Sequence, residues 1–387
     1  MEKRNVPKLR FKGFEDEWKE NKIGDIFRVF AGGDINKKNF SDIKNDEFKY
    51  PVYSNTLINE GIQGYSNIYR FNSETITVTG RGVNVGVAKA RFCKYYPIVR
   101  LLSLIPTQEV NVKFFEEVIN NTNIFIESTG VPQLTSPQIA KVKVSSPSLE
   151  EQIKIANFLS SVDNIIEEQE GKVKDLEQYK KGMMQKIFKQ EVRFKDENGD
   201  NYSEWTERKL DYCLKLSEKI KADEIDRNKL LSVKLHLQGI KVNTNTETLS
   251  IGSTIYYKRF KNQFIYGKQN FFNGSFGIVP DEFDGYLSSG DIPSLDFISE
   301  NIIPKFLIYY LGRKSFYKRT ENLASGTGSK RIHESTLLDI KIKIPCIEEQ
   351  TKIASFLSNI DNIIEEEKKK LEDLKLWKKG LLQQMFV

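Results

Sequence analysis

The sequence predicts a mixed α/β (α+β) chain: two globular domains separated by a long antiparallel pair of coiled-coil helices, with pseudo-twofold symmetry. Three observations predict it. Residues 147–189 recur as residues 345–387 at a constant offset of 198, with 24 identities in 43 positions. Both copies hold a seven-residue apolar step. The segments in front of them differ in sequence but share their ends. Internal repeats come first because a missed one mis-assigns the whole fold.

Each repeat reads as one helix. Pro147 and Pro345 end the strand-like runs before them. Glu150–Glu151 and Glu348–Glu349 fall in the first turn, where acids favour the positive end of the helix dipole. The apolar positions are Ile155, Leu159, Val162, Ile166, Val173, Leu176, Met183 and Ile187, then Ile353, Leu357, Ile360, Ile364, Leu371, Leu374, Leu381 and Met385. A step held this long is a coiled-coil seam. Gln169 with Glu367, and Lys180 with Lys378, interrupt it at matching places. Forty helical residues extend about 60 Å at roughly 1.5 Å per residue, too long for a helix inside a compact domain. Two such helices in one chain pack most simply antiparallel on each other. The resulting division is a first domain over 1–146, a spacer helix over 147–189, a second domain over 190–344 and a second spacer helix over 345–387.

The two domains match at their edges. One opens RFKGF from Arg10 and the other RFKDE from Arg193, each followed by a tryptophan, Trp18 or Trp205. Their far ends, from Gly130 and Gly328, align at the same offset of 198 and close in alternating runs, Val142–Val144 and Ile340–Ile344, that read as terminal strands. Between these ends little aligns. Residues 75–92 and 254–272 alternate like strands joined by polar turns, while 114–119 and 303–319 look helical. Gly, Ser, Thr, Asn, basic and aromatic residues fill the turns, a mixture suited to phosphates and base edges.

Composition narrows the function classes. The formal net charge is +6. Each repeat after its proline segment (150–189 and 348–387) carries −1, so the remainder carries +8, which suits a polyanionic partner. No apolar run approaches the roughly 18 residues of a membrane span. The opening MEKRNVPKLRFKGF has no apolar signal core. Cys93, Cys213 and Cys346 stand far apart without metal spacing and read as free thiols of a cytoplasmic protein. Gly80–Gly86 has one residue too many for a dinucleotide fingerprint and runs into a strand. Residues 326–331 lack phosphate-loop spacing, and 196–204 misplace the glycine and glutamate of a calcium loop. His236 and His333 stand alone. No adenine-methyltransferase motif of the Asn/Asp-Pro-Pro-aromatic type and no helicase motif is present. The chain is expected not to be catalytic by itself.

The doubled P-x-x-EEQ-x-KIA-x-FL-S…D…I segment, the tandem of variable domain and long helix, and the G-x-G-x-K-R stretch at Gly326–Arg331 resemble the specificity subunit of type I restriction–modification enzymes. The resemblance covers essentially the whole chain. The first domain departs from it, with Ser128-Thr129-Gly130-Val131-Pro132-Gln133 where the second has Gly326–Arg331. The resemblance implies that each variable domain is a target-recognition domain reading half of a bipartite, asymmetric double-stranded DNA site. The helices then set the gap between half-sites. It implies partners: two methyltransferase subunits, which use S-adenosylmethionine, and two restriction/translocase subunits, which use ATP and Mg. It implies no cofactor in this chain, no membrane, and the bacterial cytoplasm. Two readers entering successive major grooves on one face of a duplex sit roughly 34 Å apart, within reach of a 60 Å helix pair. The alternative is a tandem binding scaffold on a coiled-coil strut with no DNA role.

Candidate DNA contacts follow from side-chain chemistry, because Arg and Lys suit guanine or phosphate and Asn and Gln suit adenine. In the first domain they are Arg81, Asn84, Lys89, Arg91, Gln133 and Thr135. In the second they are Lys258, Arg259, Gln263, Lys268, Gln269, Ser289, Lys330 and Arg331. The triplets Glu150, Glu151, Gln152 and Glu348, Glu349, Gln350 lie outside the seam yet are identical, so they are candidates for docking the partner subunits.

Overall fold

A computed structural model describes residues 5–72, 74–124, 132–244, 254–326 and 329–387. Two long helices run over Leu149–Phe188 and Ile347–Met385, within two residues of the predicted starts. The chain divides into two compact units, one of residues 1–171 with 369–387 and the other of residues 172–368. The division falls inside both helices. Each unit therefore holds a globular domain, the first part of the helix that follows it in sequence, and the last part of the other helix.

Within each unit the two helical parts are antiparallel. In the first, Asp163 pairs with Lys378 (2.5 Å) and Glu170 with Lys375 (2.5 Å). In the second, Lys172 pairs with Glu367 (3.0 Å), Glu177 with Lys368 (2.5 Å), and Lys180 with Asp361. One number rises as the other falls, which is the antiparallel sense. The lysines that interrupt the heptad step thus pair with an aspartate on the opposite helix. Burial pulls Lys378 down, but its hydrogen bond to Asp163 and the charge of Glu117 hold it above the ordinary lysine value.

The domains share one topology despite their unlike sequences. The first contains an antiparallel sheet in the order Phe27–Ala31, Leu102–Pro106, Thr75–Val78, Ala88–Arg91. The second contains Leu214–Leu216, Ser294–Phe297, Phe264–Tyr266, Phe276–Ile278 in the same order. Each closes with a two-stranded ladder: Lys19–Lys22 on Lys143–Ser146, and Thr206–Lys209 on Lys341–Ile344. The predicted terminal strands are the second members of these ladders. Alternation puts Val144, Ile342 and Ile344 inward. The remaining strands differ. The first domain adds a four-stranded sheet, Phe40–Ser41, Ile62–Ser66, Tyr50–Tyr53 and Tyr96–Pro97, and the second adds two ladders. The stretch expected to be one helix over 303–319 is two, Pro304–Leu311 and Lys314–Arg319, bent at Gly312–Arg313.

One helix per domain, Val112–Asn121 or Pro304–Leu311, packs beneath its sheet. Its third residue is a phenylalanine in both cases, and each meets the domain's tryptophan. Trp18 stacks edge-on against Phe114 (5.7 Å) and against Phe386 (6.1 Å). Trp205 stacks against Phe306 (6.0 Å) and against Phe188 (6.3 Å). Phe188 ends the first long helix, and Phe386 directly follows the second. Each domain core is thus closed by the helix that does not follow it in sequence.

The repeated triplet fastens each domain to its own helix. Arg10 donates through Nε and Nη2 to Glu151 Oε1 and Oε2, at 2.8 Å each. Arg193 does the same to Glu349, at 3.2 and 2.8 Å, and Trp205 Nε1 adds a bond to that carboxylate (3.2 Å). The hydrogen bonds to these carboxylates raise the pKa of both arginines. The glutamine works the same way in both units. Gln152 Oε1 accepts from Asn111 N (3.1 Å) and its Nε2 donates to Pro147 O (3.0 Å). Gln350 Oε1 accepts from Ile303 N (2.9 Å) and its Nε2 donates to Pro345 O (3.0 Å). Asn111 and Ile303 are the residues that begin the domain helices. The glutamine therefore occupies a backbone donor that the helix leaves open.

Glu151 is 1% and Glu349 0% exposed, and both glutamines are buried. Removing the arginine would leave a buried carboxylate unpaired, a loss of about 3–5 kcal/mol. Arg193→Ala is expected to lower the stability of the second unit by that amount in denaturant unfolding. In Arg193→Ala/Glu349→Gln the loss should be smaller than the sum of the single changes.

Candidate nucleic-acid interface

The candidate surface of each domain is built from three segments at one end of its four-stranded sheet. In the first domain they are the turn between Thr75–Val78 and Ala88–Arg91, the connection Ile98–Leu101, and residues 132–134. Gly80 opens the turn. A side chain there would lie 2.6 Å from Arg100 O and 3.2 Å from Leu134 O, so only glycine permits the approach. The third segment pairs with the first: Leu134 N donates to Gly80 O (2.9 Å) and Gly82 N to Pro132 O (3.1 Å), which sets Arg81 opposite Gln133.

The middle segment is strained. Val99 and Arg100 have φ of 52° and 58°, a region that β-branched residues avoid. They are held there by Val99 N to Gly33 O (3.1 Å) and Arg100 N to Gly32 O (3.0 Å). Asn55 ties the segments together: its Oδ1 accepts from Gly80 N (2.7 Å) and its Nδ2 donates to Val99 O. The outcome is a platform bearing Arg81, Asn84, Gln133 and Arg100, with Val83 at its tip, 96% exposed.

The second domain repeats the device with different side chains. The loop after Phe264–Tyr266, the connection Gly290–Pro293 and residues 329–332 converge. Lys268 N donates to Asp291 O (2.9 Å), Ile332 N to Lys268 O (2.8 Å), and Ser325 and Arg331 exchange backbone bonds of 3.0 and 2.8 Å. Lys268 pairs with Glu334 (3.0 Å), Arg331 approaches Asp291 (3.6 Å) and Lys330 pairs with Glu321 (2.9 Å). Burial pushes the Glu334 carboxyl up, but its backbone hydrogen bond and Lys268 outweigh this and hold it low. Gln269 lies in the same loop, half-buried. Ser128–Val131 and Thr327–Gly328 of the sequence comparison lie outside the described residues.

Several sequence-predicted contacts are corrected. Arg259 is 2% exposed. It donates to Ser288 Oγ (2.6 Å), Ser294 Oγ (3.1 Å) and Ile292 O (2.9 Å), and burial lowers its pKa to about 10. It shapes the connection that carries Asp291 and Ser289 and presents nothing to a ligand. Gln263 is buried, accepting from Phe260 N and donating to Asp296 (2.9 Å each). Arg91 is buried over the Tyr53 ring (3.7 Å), bonded to Thr77 Oγ1 (2.9 Å) and Glu60 O (3.0 Å). Alternation alone could not distinguish these inward cations from surface ones.

Thr135 caps the helix Ser136–Ala140 together with Gln138. Lys89 is exposed but lines a hollow with Glu116, Glu117 and Asp163, away from the platform. Lys258 pairs with Asp223 (3.3 Å). Of the proposed docking triplets, Glu151, Gln152, Glu349 and Gln350 are interior, consumed by the arginine and helix-end bonds, so only Glu150 and Glu348 face solvent. Asn55, Val99 and Arg100 carried no sequence signal beyond an isolated Asn and a Val-Arg pair.

Among the described residues no group of three or more His, Cys, Asp or Glu is placed to hold a metal, and no helix is long and apolar enough to cross a membrane. The thiols are unpaired, and burial pushes Cys213 up to about 12.

Two domains of one topology, each clamped to a helix and each presenting a loop platform with its own side chains, define a tandem repeat of domain and helix. The family model described as "Type I restriction modification DNA specificity domain" matches twice, at residues 15–178 and 202–376, and the chain belongs to that type I specificity-subunit family. The type I restriction enzyme MjaVIII specificity subunit of Methanocaldococcus jannaschii is 29% identical over 272 residues, 66% of this chain and 64% of that one. A Mycoplasma pneumoniae chain described as a type I specificity subunit is 31% identical over 185 residues, 46% of this chain and 51% of that one. The matched stretches thus span about half to just under two thirds of these relatives. The crystal structure of a type I restriction–modification S subunit from M. genitalium superposes over 99% of both chains with a TM-score of 0.62 at 15% identity, which is a likeness of fold.

Asn55→Ala is expected to leave the Gly80 N–H and the Val99 carbonyl unpaired. The cost should be about 1–3 kcal/mol, read in the unfolding of the first unit, with faster amide exchange at Gly80.

Proposed function

We propose that this chain is the DNA-reading, non-catalytic component of a type I restriction–modification complex, each domain reading one half of a bipartite, asymmetric duplex site. The observation that carries the reading is the platform built twice on one topology with different side chains: Arg81, Asn84, Gln133 and Arg100 in one domain, Lys268, Gln269, Lys330 and Arg331 in the other. A net +8 outside the spacer helices fits the phosphate attraction that dominates duplex affinity. Tethering two modest readers makes the second contact effectively intramolecular, and the helices set the gap between half-sites. Two methyltransferase subunits dock on the helices with the exposed Glu150 and Glu348 at the contact, and two restriction/translocase subunits complete the complex. S-adenosylmethionine, ATP and Mg serve those partners, in the bacterial cytoplasm. A solved structure described as concerning complex assembly and conformational transition of the type I R-M system has the same fold, with a TM-score of 0.55 at 12% identity over 96% of this chain and 98% of that one, and supports the assembly reading.

Two experiments test it. Arg331→Ala should relax or abolish recognition of the second half-site alone, read by mapping methylated adenines in a host expressing the complex. Loss of about 1–3 kcal/mol of discrimination is expected for a base contact. A phosphate contact would instead weaken all sequences alike and lower the salt slope by about one. An unchanged methylation map with unchanged affinity would remove Arg331 from the interface. Separately, Glu150→Lys/Glu348→Lys should weaken co-purification with the methyltransferase subunits while leaving duplex binding by the chain intact.

A further inference from the structure

The second unit contains a cavity of about 590 Å³ between the end of the first long helix, residues Asp361–Lys368 of the second, and the bend Gly312–Ser315. Met184 and Ile364 contribute apolar lining. Around them stand six cations, Lys180, Lys181, Lys189, Arg313, Lys314 and Lys368, against two acids, Glu177 and Asp361. Both acids are already engaged, Asp361 by Lys180 and Glu177 by Lys368 at 2.5 Å. Lys189 is 3.6 Å from Glu191. Lys181, Arg313 and Lys314 have no carboxylate partner among the described residues.

Arg313 is the telling group. Its guanidinium lies over the rings of Tyr310 (4.0 Å), Phe188 (4.7 Å) and Phe316 (5.6 Å), and Nε donates to Tyr310 O (2.9 Å). Burial lowers its pKa. Stacking fixes the plane of the fork, and Tyr310 is its hydrogen-bonding neighbour, with no carboxylate among the described residues closing on it. A half-buried cation without an anion keeps a desolvation cost that an incoming anion would relieve. The matching place in the first unit does not share this chemistry. The Glu177–Lys368 pair recurs there reversed, as Lys375 with Glu170, but Val387 stands where the first helix has Lys189, and Asn121 and Thr122, ten and eleven residues past Asn111, stand where the second domain has Arg313 and Lys314. A partner that docks alike on both units does not account for a feature present in one.

We propose that this cavity binds an oligophosphate carried on a small apolar or aromatic body, the chemistry of a nucleoside di- or triphosphate. Arg313 grips one phosphate through a fork that no carboxylate occupies, and Lys181, Lys189 and Lys314 neutralise the others. The Met184–Ile364 lining accepts the body, and the volume lies in the range of small-molecule sites, about 300–1,000 Å³. Duplex DNA carries the same phosphate chemistry, so the test separates the two sources.

The full-length chain is titrated calorimetrically with ATP, with ADP, with inorganic tripolyphosphate and with a short duplex. Saturable binding of one ATP per chain is expected, weaker for tripolyphosphate, which lacks the body. Arg313→Ala should weaken ATP binding about tenfold or more, and Arg313→Lys should recover part of it. Lys379→Glu in the first unit should leave it unchanged, and duplex affinity should not follow Arg313. Should Arg313→Ala fail to fold, Lys181→Glu/Lys314→Glu, two exposed positions, gives the same reading. No saturable ATP binding, or ATP binding indifferent to both variants, overturns the proposal. Loss of duplex affinity in the variants without ATP binding overturns it in favour of a DNA-backbone contact, leaving the recognition function standing.

Discussion

Everything this chain presents depends on a carboxylate buried in each long helix. Glu151 and Glu349 are held away from water, and that position is tolerable only because an arginine from the start of the domain closes on both oxygens. The neighbouring glutamine takes the open backbone donor at the start of the domain helix. Together the two residues fix a helix onto a domain by hydrogen bonds that apolar packing alone could not aim. A buried ion pair adds little net stability over a well-packed apolar substitute, but it penalises every misaligned arrangement heavily. Here it sets the position and rotation of each domain on its helix.

Above that clamp the two domains are free to diverge. The same Trp–Phe–Phe cluster and the same sheet order recur, and the hairpin loop and the connection at the sheet end keep their lengths, while their side chains and charges differ. Polar contact between domain helix and long helices follows the same logic. Asp163 with Lys378 meets Glu117 in the first unit, and Asp361 with Lys180 meets Tyr309 in the second. Glu117 and Tyr309 sit at the same step of their helices, so the invariant pair has accommodated a carboxylate in one case and a phenol in the other. Burial pushes both of these groups up, with Lys378 opposing it at Glu117.

The long helices were legible because identity and the heptad step are both local in sequence. The closing strands and the paired tryptophans were legible for the same reason. The clamp was only half legible. The EEQ triplet stands out at offset 198, but its arginine partners, Arg10 and Arg193, differ by 183, so aligning the repeats at one offset does not bring them together. Cations fared worst. Arg91 and Arg259 sit in strand-like, basic stretches that read as surface, yet their neighbours across the sheet supply hydroxyls and carbonyls that make an interior position satisfactory. The strained Val99–Arg100 connection carries no glycine or asparagine to announce a left-handed turn. It is imposed by tertiary bonds from Gly32, Gly33 and Asn55.

The closure of each core by the opposite helix bears on how the polypeptide emerges from the ribosome. Trp18 and Phe114 are translated early, whereas the ring that completes their cluster, Phe386, and the packed Leu381 and Met385 appear only after the whole second domain has been made. Domains usually fold in order of synthesis. The first domain must instead wait with an open apolar edge, while the second, whose Phe188 precedes it, finds its closing helix already present. The later-made domain is therefore the one expected to reach its native core first, and the earlier one is the part of the nascent chain most in need of a chaperone.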